Sequence, residues 1–188
     1  MALIGTKLDP FEVNAFQAGQ NCLCITERDF VGKWSILCFY PADFTFVCPT
    51  ELEDLQAYYD VFKSMNAEVY SISTDTHYAH RAWHVISETI RKVRYIMISD
   101  AAHVLSKAFN VLNTKTGMAE RAFVIIDPDG VIQMVDTNSD SIGRDASLLV
   151  DRLRSCQFAY DAPREVFPAG WQEGDPTIKP SIDLVGKI

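Results

Sequence analysis

Clusters of basic residues, long apolar runs and Cys-x-x-Cys pairs are all missing from this 188-residue sequence. Acidic side chains outnumber basic ones by 25 to 17, and the formal charge of −8 argues against nucleic acid and anionic membrane surfaces as partners. No stretch approaches the roughly 18 unbroken apolar residues of a membrane span, and the first ten residues lack the apolar core of a secretory signal. We therefore expect no nucleic-acid partner, no membrane association and a cytoplasmic location.

Cysteine is present, but in a pattern that argues against two common roles. The five cysteines are Cys22, Cys24, Cys38, Cys48 and Cys156. An odd number without Cys-x-x-Cys spacing argues against a disulfide scaffold and against a zinc module. In a reducing compartment each cysteine is then either packing or chemistry. Cys38 and Cys156 fit a packing role. Cys22 and Cys24 share one face of a predicted strand, which is a poor geometry for pairing with each other.

The order of apolar segments indicates an α/β fold with a mixed central sheet and helices on both faces. Strands are predicted at 34–40, 69–73 and 95–99, helices at 49–65, 77–92 and 103–109, a hairpin at 121–126 and 131–135, and a last helix at 145–158. Residues 159–188 contain four of the eight prolines and little periodicity. We expect one domain over 1–158 and an extended C-terminal arm over 159–188 that packs on a partner subunit.

The segment between the first predicted strand and the first predicted helix has the features of a reactive site. Cys48 immediately precedes Pro49, so it falls at the N-cap or in the first turn of that helix. Unpaired amide groups and the helix dipole favour a thiolate there. Thr45 lies three residues upstream and can offer a hydroxyl; the alternative is that Cys48 is a packing cysteine in the core. Apolar walls for the site are expected from Phe44, Phe46 and Val47.

The spacing Pro41-x-x-x-Thr45-x-x-Cys48 resembles the active-site signature of the peroxiredoxins. The whole chain resembles their alkyl hydroperoxide reductase C type, which belongs to the typical two-cysteine group. Further stretches that carry the resemblance are 39–51, 73–77, 82–84, 121–122, 127–128, 143–144, 168–171 and 181–188. The resemblance implies a thioredoxin-like fold and a thiol-dependent peroxidase that reduces hydrogen peroxide and alkyl hydroperoxides through a Cys48 sulfenic acid.

The same resemblance implies the cofactor requirement, the reductant and the oligomeric state of such an enzyme. No cofactor is expected, because the sulfur itself carries the electrons. The reductant would be an external thiol, which can belong to a flavoprotein disulfide reductase, a thioredoxin-like protein or a small molecule. The chain would form a homodimer, and five dimers would form a ring.

The resemblance also assigns roles to residues around the thiol. Cys48 would be the peroxidatic residue, Thr45 and the backbone N–H of Cys48 would hold the peroxide, and Pro41 would exclude water. Arg121 would stabilise the thiolate and the negative charge that develops on the leaving oxygen. On physical grounds an arginine entering the apolar run 121–126 needs a partner; the alternative is an ordinary surface salt bridge.

Two further charged residues, Glu51 and Arg144, resemble the pair that supports the site in this family. The alternative for each residue, which the sequence supports equally well, is a solvated charge near a helix terminus.

The sequence departs from the two-cysteine pattern at one position. Where the family's resolving cysteine lies in a Val-Cys-Pro triplet, this chain has Val166, Phe167 and Pro168, and no cysteine follows Cys156. The sulfenic acid on Cys48 could not then form the usual disulfide with a partner's arm. Either the enzyme is recycled by an external thiol in a one-cysteine route, or Phe167 substitutes the resolving residue and stops the cycle.

Two other classes of function stay open at this point. A ring of subunits with little turnover could act as a holdase chaperone or a peroxide sensor. His77, His80 and His84 recur at spacings of three and four residues, which suits a metal-dependent hydrolase but also suits a surface or interface face of a helix. We expect the second interpretation, and no metal site.

Overall fold

The computed structural model describes residues 3–20 and 22–187. Its centre is one seven-stranded sheet with the strand order β2-β1-β5-β4-β3-β6-β7. The strands are β1 (Glu12–Phe16), β2 (Leu23–Thr26), β3 (Trp34–Phe39), β4 (Ala67–Ser73), β5 (Ile96–Ser99), β6 (Arg121–Ile126) and β7 (Ile132–Asn138). β4 pairs in parallel with β3 and β5, whereas β6 pairs antiparallel with β3 and β7, so the predicted mixed sheet is confirmed.

Five α-helices connect or follow these strands in the described part of the chain. They are α1 (Cys48–Ala57), α2 (Tyr59–Ser64), α3 (His77–Ile86), α4 (Val104–Ala108) and α5 (Ala146–Asp161). Short 3₁₀ turns lie at 27–30, 90–92 and 182–184. No helix within residues 3–20 and 22–187 is long and apolar enough to cross a membrane.

Two predicted helices were too long, and one strand was missed. The helix predicted over 49–65 is interrupted at Tyr58, whose ψ of 1° ends α1 before α2 begins. The helix predicted over 77–92 ends at Ile86, because Ser87 adopts an extended conformation before the 3₁₀ turn at 90–92. β1, which has only five residues and pairs with β2 and β5, was not predicted. Of the two neighbouring cysteines, only Cys24 lies within β2.

Helices cover both faces of the sheet, as predicted. On one face, Leu37 and Phe39 of β3 pack in an apolar cluster with Leu105 and Phe109, and the rings of Phe39 and Phe109 lie 5.4 Å apart. Since side chains alternate along a strand, Cys38 points to the other face. The chain after β3 forms α1, which covers this second face, and its buried side chains include Leu52 and Leu55.

The chain divides into two compact units, Met1–Ala146 and Ser147–Ile188. In the second unit an antiparallel bridge joins Val166 to Ile178. The ring of Phe167 lies 4.9 Å from that of Trp171 in an edge-to-face arrangement, and Trp171 makes a similar contact with Phe158. Aromatic contacts thus join Phe167 and Trp171 of the predicted arm to each other and to Phe158, and packing of the arm, predicted over 159–188, on a partner subunit stays a prediction.

Candidate active site

Cys48 lies at the start of the first helix, which follows β3 in the chain. All six residues of β3 are buried, and the segment 40–47 leads from its end to α1, of which Cys48 is the first residue and Pro49 the second. Proline is favoured at this position, because it needs no amide partner and its φ suits a helix. Cys48 has no exposed surface. The predicted position of the thiol at a helix N-terminus is thus what the structure shows.

Buried polar contacts hold the segment 40–47 in place. Asp43 accepts a hydrogen bond from the hydroxyl of Tyr40 (2.7 Å) and its other carboxylate oxygen lies 2.8 Å from Nδ1 of His80. Nε2 of His80 lies 3.1 Å from the carbonyl oxygen of Ile98, and the backbone N–H of Asp43 donates to Asp75 (2.8 Å). Since each buried polar group has a partner, the segment has a defined path toward Cys48.

The expectation that the three histidines share a surface or interface face was wrong for His80. This side chain is fully buried, and both of its ring nitrogens face protein acceptors, so neither is free to bind a metal. His84 is directed at the carbonyl oxygen of Val93 (3.2 Å) and packs against Phe16. His77 packs against Tyr78 instead. The metal-dependent hydrolase has no support in these contacts.

Arg121 joins the thiol to two acidic residues. Its Nη1 donates to Sγ of Cys48 (3.3 Å) and to Oε2 of Glu51 (2.7 Å). Its Nε donates to the carbonyl oxygen of Asp140 (2.6 Å), and Nη2 donates to Oδ1 of that residue (3.0 Å). Burial by itself lowers the pKa of the guanidinium, but the hydrogen bonds and negative charges of Cys48 and Glu51 outweigh it, and the pKa is raised. The surface salt bridge is excluded, because Arg121 is buried.

Glu51 is the common acceptor of two arginines. Arg144 donates to it from its backbone N–H (3.0 Å), from Nε (2.8 Å) and from Nη2 (3.1 Å), while Arg121 occupies the remaining side of Oε2. Arg144 also lies over the ring of Phe123, 4.3 Å from its centre. The side chains of Glu51 and Arg144 are both almost wholly buried. The interpretation of Glu51 and Arg144 as solvated helix-terminal charges was wrong, because they form a buried ion pair that fixes Arg121.

The segment before Cys48 differs in part from its predicted role. Pro41 is buried, and Thr45 is partly exposed with its hydroxyl donating to the carbonyl of Ala42 (2.8 Å) rather than toward the thiol. Phe44 has a positive φ of 57° and packs against Trp83. Phe46 is 93% exposed, so it does not form a wall of the site as expected.

The other buried cysteine near the site has a different environment. Cys38 receives a hydrogen bond from Nη2 of Arg144 (3.4 Å), yet burial raises its pKa from 9.0 to about 12. A thiol with this pKa stays protonated at neutral pH and is a poor nucleophile. Burial likewise raises the pKa of Cys156 to about 11. The packing role expected for Cys38 and Cys156 fits these environments.

Sequence reasoning missed Asp140, although it contacts Arg121 through two acceptors. An acidic residue in a polar turn carries no local signal. The only hint in the sequence was that a buried arginine with five N–H donors needs more than one acceptor.

Comparison with known proteins places this geometry in a family. The sequence profile of the AhpC/TSA family matches residues 4–135. The chain belongs to the AhpC/TSA family. A second profile, described as the C-terminal domain of 1-Cys peroxiredoxin, matches residues 156–187. The expectation of a peroxiredoxin of the alkyl hydroperoxide reductase C type, with thiol-dependent peroxidase activity, is confirmed.

Individual relatives of this AhpC/TSA chain agree over nearly its full length. Alkyl hydroperoxide reductase C of Amphibacillus xylanus is 54% identical over 188 residues, which is all of both chains. The crystal structure of Enterococcus faecalis AhpC superposes with a TM-score of 0.86 and 45% identity, covering 89% of this chain and all of that one. The reduced 2-Cys peroxiredoxin of Plasmodium vivax gives a TM-score of 0.90 and 32% identity, with 97% and 96% covered. The predicted thioredoxin-like fold is confirmed.

Proposed function

We propose that Cys48 is the residue of this peroxidase that attacks the peroxide, and that the substrates are hydrogen peroxide and alkyl hydroperoxides. The observation that carries the proposal is the 3.3 Å contact between Sγ of Cys48 and Nη1 of Arg121 at the first turn of α1. A permanent cation and a helix N-terminus both favour a thiolate at this position. Cys38 and Cys156 lack this combination.

The chemical step is a displacement on oxygen. The Cys48 thiolate attacks one peroxide oxygen, the O–O bond breaks, and the products are Cys48 sulfenic acid and an alkoxide or hydroxide that takes up a proton. Arg121 is placed to stabilise both the thiolate and the charge on the leaving oxygen, since its position is fixed before the peroxide arrives. By family resemblance we propose two further contacts for the peroxide, the backbone N–H of Cys48 and the hydroxyl oxygen of Thr45, whose own proton is donated to the carbonyl of Ala42. Buried Pro41 would limit the access of water.

We propose that an external thiol completes the cycle. One thiol condenses with the sulfenic acid to give a mixed disulfide and water, and a second thiol releases the Cys48 thiol and a disulfide. Phe167 occupies the position of the resolving cysteine, and Cys38 is held as a protonated thiol by burial. Cys24 lies in β2, four strand spacings or roughly 19 Å from β3, the strand that precedes Cys48. This separation exceeds the reach of a disulfide within the chain.

The assembly and the partners belong to the same proposal. By family resemblance we propose a cytoplasmic homodimer, five of which form a ring with the 159–188 arm packed on the partner subunit. The thiol could come from a flavoprotein disulfide reductase, a thioredoxin-like protein or a small thiol. Light scattering measures the mass of the assembly, and peroxide consumption with each reductant identifies the donor. A holdase without turnover is not favoured, because the buried Arg121–Glu51–Arg144 arrangement serves the thiol directly.

The test of Cys48 compares Cys48→Ser with Cys156→Ser and the parent. Cys48→Ser is expected to abolish thiol-dependent consumption of peroxide, whereas Cys156→Ser retains it. Equal consumption by Cys48→Ser and the parent would show that another group reacts with peroxide.

The test of recycling uses a non-reducing gel and the intact mass after one equivalent of peroxide. We expect a monomer carrying one added oxygen, because Phe167 stands where the family's resolving cysteine would lie. Phe167→Cys is expected to give a disulfide-linked dimer and to protect Cys48 from further oxidation to sulfinic acid. A linked dimer of the parent that contains Cys48 would contradict the one-cysteine cycle.

A further inference from the structure

Asp140 contacts the arginine of the site from the side opposite to the thiol. Its carbonyl oxygen accepts from Nε of Arg121 (2.6 Å) and its carboxylate accepts from Nη2 (3.0 Å). The residue lies in a turn after β7, which the hydrogen bond from Ile142 N–H to the carbonyl of Ser139 closes at 2.9 Å. The Asp140 carboxylate is 69% exposed, whereas the Arg121 side chain is only 4% exposed.

These contacts use the guanidinium almost completely. An arginine has five N–H donors in a rigid plane. In the part of the chain that the structure describes, one donor is directed to Cys48, one to Glu51 and two to Asp140. Because the group is planar, fixing Nε and Nη2 on one side also fixes the direction in which Nη1 points.

The turn itself is tied to the first helix. A Cβ atom added to Gly143 would lie 3.5 Å from Cγ1 of Val47, so the backbone passes close to the residue that precedes Cys48. One residue further, Arg144 binds Glu51 through three hydrogen bonds. The position of the turn is therefore set by the same helix that carries the thiol.

We propose that Asp140 is a positioning residue for the peroxidase reaction, holding Arg121 in the orientation in which Nη1 faces the sulfur of Cys48. The inference rests on the proposed roles of Cys48 and Arg121. A misplacement of about 1 Å in a reacting group can cost on the order of a hundredfold in rate. Loss of one of two anchors is expected to cost on the order of tenfold.

A positioning role and a purely electrostatic role of Asp140 predict opposite shifts in the pH at which Cys48 becomes reactive. The charged groups near Cys48 are Arg121, Glu51 and Arg144, with Asp140 on the far side of Arg121. If Asp140 acted only through its negative charge, its removal would favour the thiolate and shift the pH profile of Cys48 alkylation to lower pH. If it positions Arg121, losing the side chain moves the cation away, and the profile shifts to higher pH.

Two variants separate these effects. Asp140→Asn keeps an oxygen that can accept from Nη2 but removes the charge, whereas Asp140→Ala removes both. Asp136→Asn, at an exposed position of β7, is the matched control for net charge. The measurements are the second-order rate of Cys48 oxidation by hydrogen peroxide and the alkylation of Cys48 against pH by peptide mass spectrometry.

We expect Asp140→Ala to react about tenfold more slowly than the parent, with its alkylation profile at higher pH. Asp140→Asn should react within about threefold of the parent, with its profile at lower pH. Alkylation profiles that shift to lower pH in both variants, or an Asp140→Ala rate equal to the parent's, would overturn the inference. Failure of the proposed function gives a different result, since then Cys48→Ser would still consume peroxide.

Discussion

Replacement of Arg121 by alanine tests the electrostatic core of the site most directly. Two unit charges 3.3 Å apart interact by about 1 kcal/mol in bulk water and about 5 kcal/mol at the effective dielectric of a protein surface. Because 1.36 kcal/mol corresponds to one pH unit, losing the cation should shift the alkylation profile of Cys48 upward by about one to four pH units. The rate of peroxide reduction, measured at high pH where the thiol is ionised, should still fall about a hundredfold, because a fixed donor to the leaving oxygen is lost.

Arg121→Lys separates charge from geometry in the same assay. Lysine keeps the positive charge but lacks the planar fork that reaches Cys48, Glu51 and Asp140 together. We expect a smaller pH shift than in Arg121→Ala but a comparable loss of rate. Arg28→Ala, whose side chain is 90% exposed, is the control. A pH profile and a rate of Arg121→Ala that match the parent's, with the thermal unfolding transition retained, would refute the reasoning.

Two further predictions concern stability. Glu51→Gln leaves two buried guanidinium groups without their shared carboxylate, which should lower the free energy of unfolding by about 3–5 kcal/mol and the Tm by roughly 6–20 °C; calorimetry measures this, and an unchanged Tm would contradict it. Burial raises the pKa of Cys38 from 9.0 to about 12, so the folded state keeps a proton that the unfolded state loses. The contribution of this proton to the free energy of unfolding is therefore fully present below pH 9 and is lost as the pH rises toward 12. Over that range the parent loses about 1.4 kcal/mol per pH unit more than Cys38→Ala does. Urea unfolding at pH 8, 9 and 10 measures the difference, and parallel slopes would exclude the effect.

The local part of the site could be predicted from the sequence, and its long-range part could not. Cys48 before Pro49, after a buried strand, specifies a thiol at a helix N-terminus through local rules alone. The shared carboxylate of Glu51 depends on Arg144, which lies 93 positions further along the chain. Nothing in the charge pattern distinguishes that pair from solvated residues. Asp140 was missed for the same reason, because its partner Arg121 is distant in sequence.

The errors in the fold have a similar cause. No glycine or proline marks the break at Tyr58, and a tertiary contact follows it at once, since the hydroxyl of Tyr59 donates to Glu68 (2.8 Å). The alternation of Glu12–Phe16 is present in the sequence, but five residues with an acidic start are a weak signal without the neighbouring strands. Pairing with β2 and β5 supplies what the local pattern lacks.

The positive φ of Phe44 has an energetic consequence for how the site opens. A bulky L-residue in the left-handed region costs about 1–2 kcal/mol, and the contacts of Asp43 and the ring of Trp83 keep it there. Cys48 has no exposed surface, so a reducing thiol larger than a peroxide reaches it only when this segment moves. A movement that returns Phe44 to a negative φ releases this strain, and the released energy offsets part of the energy of the hydrogen bonds that are broken. The left-handed conformation of Phe44 thus lowers the net free energy that a bulky thiol needs to open the segment 40–47.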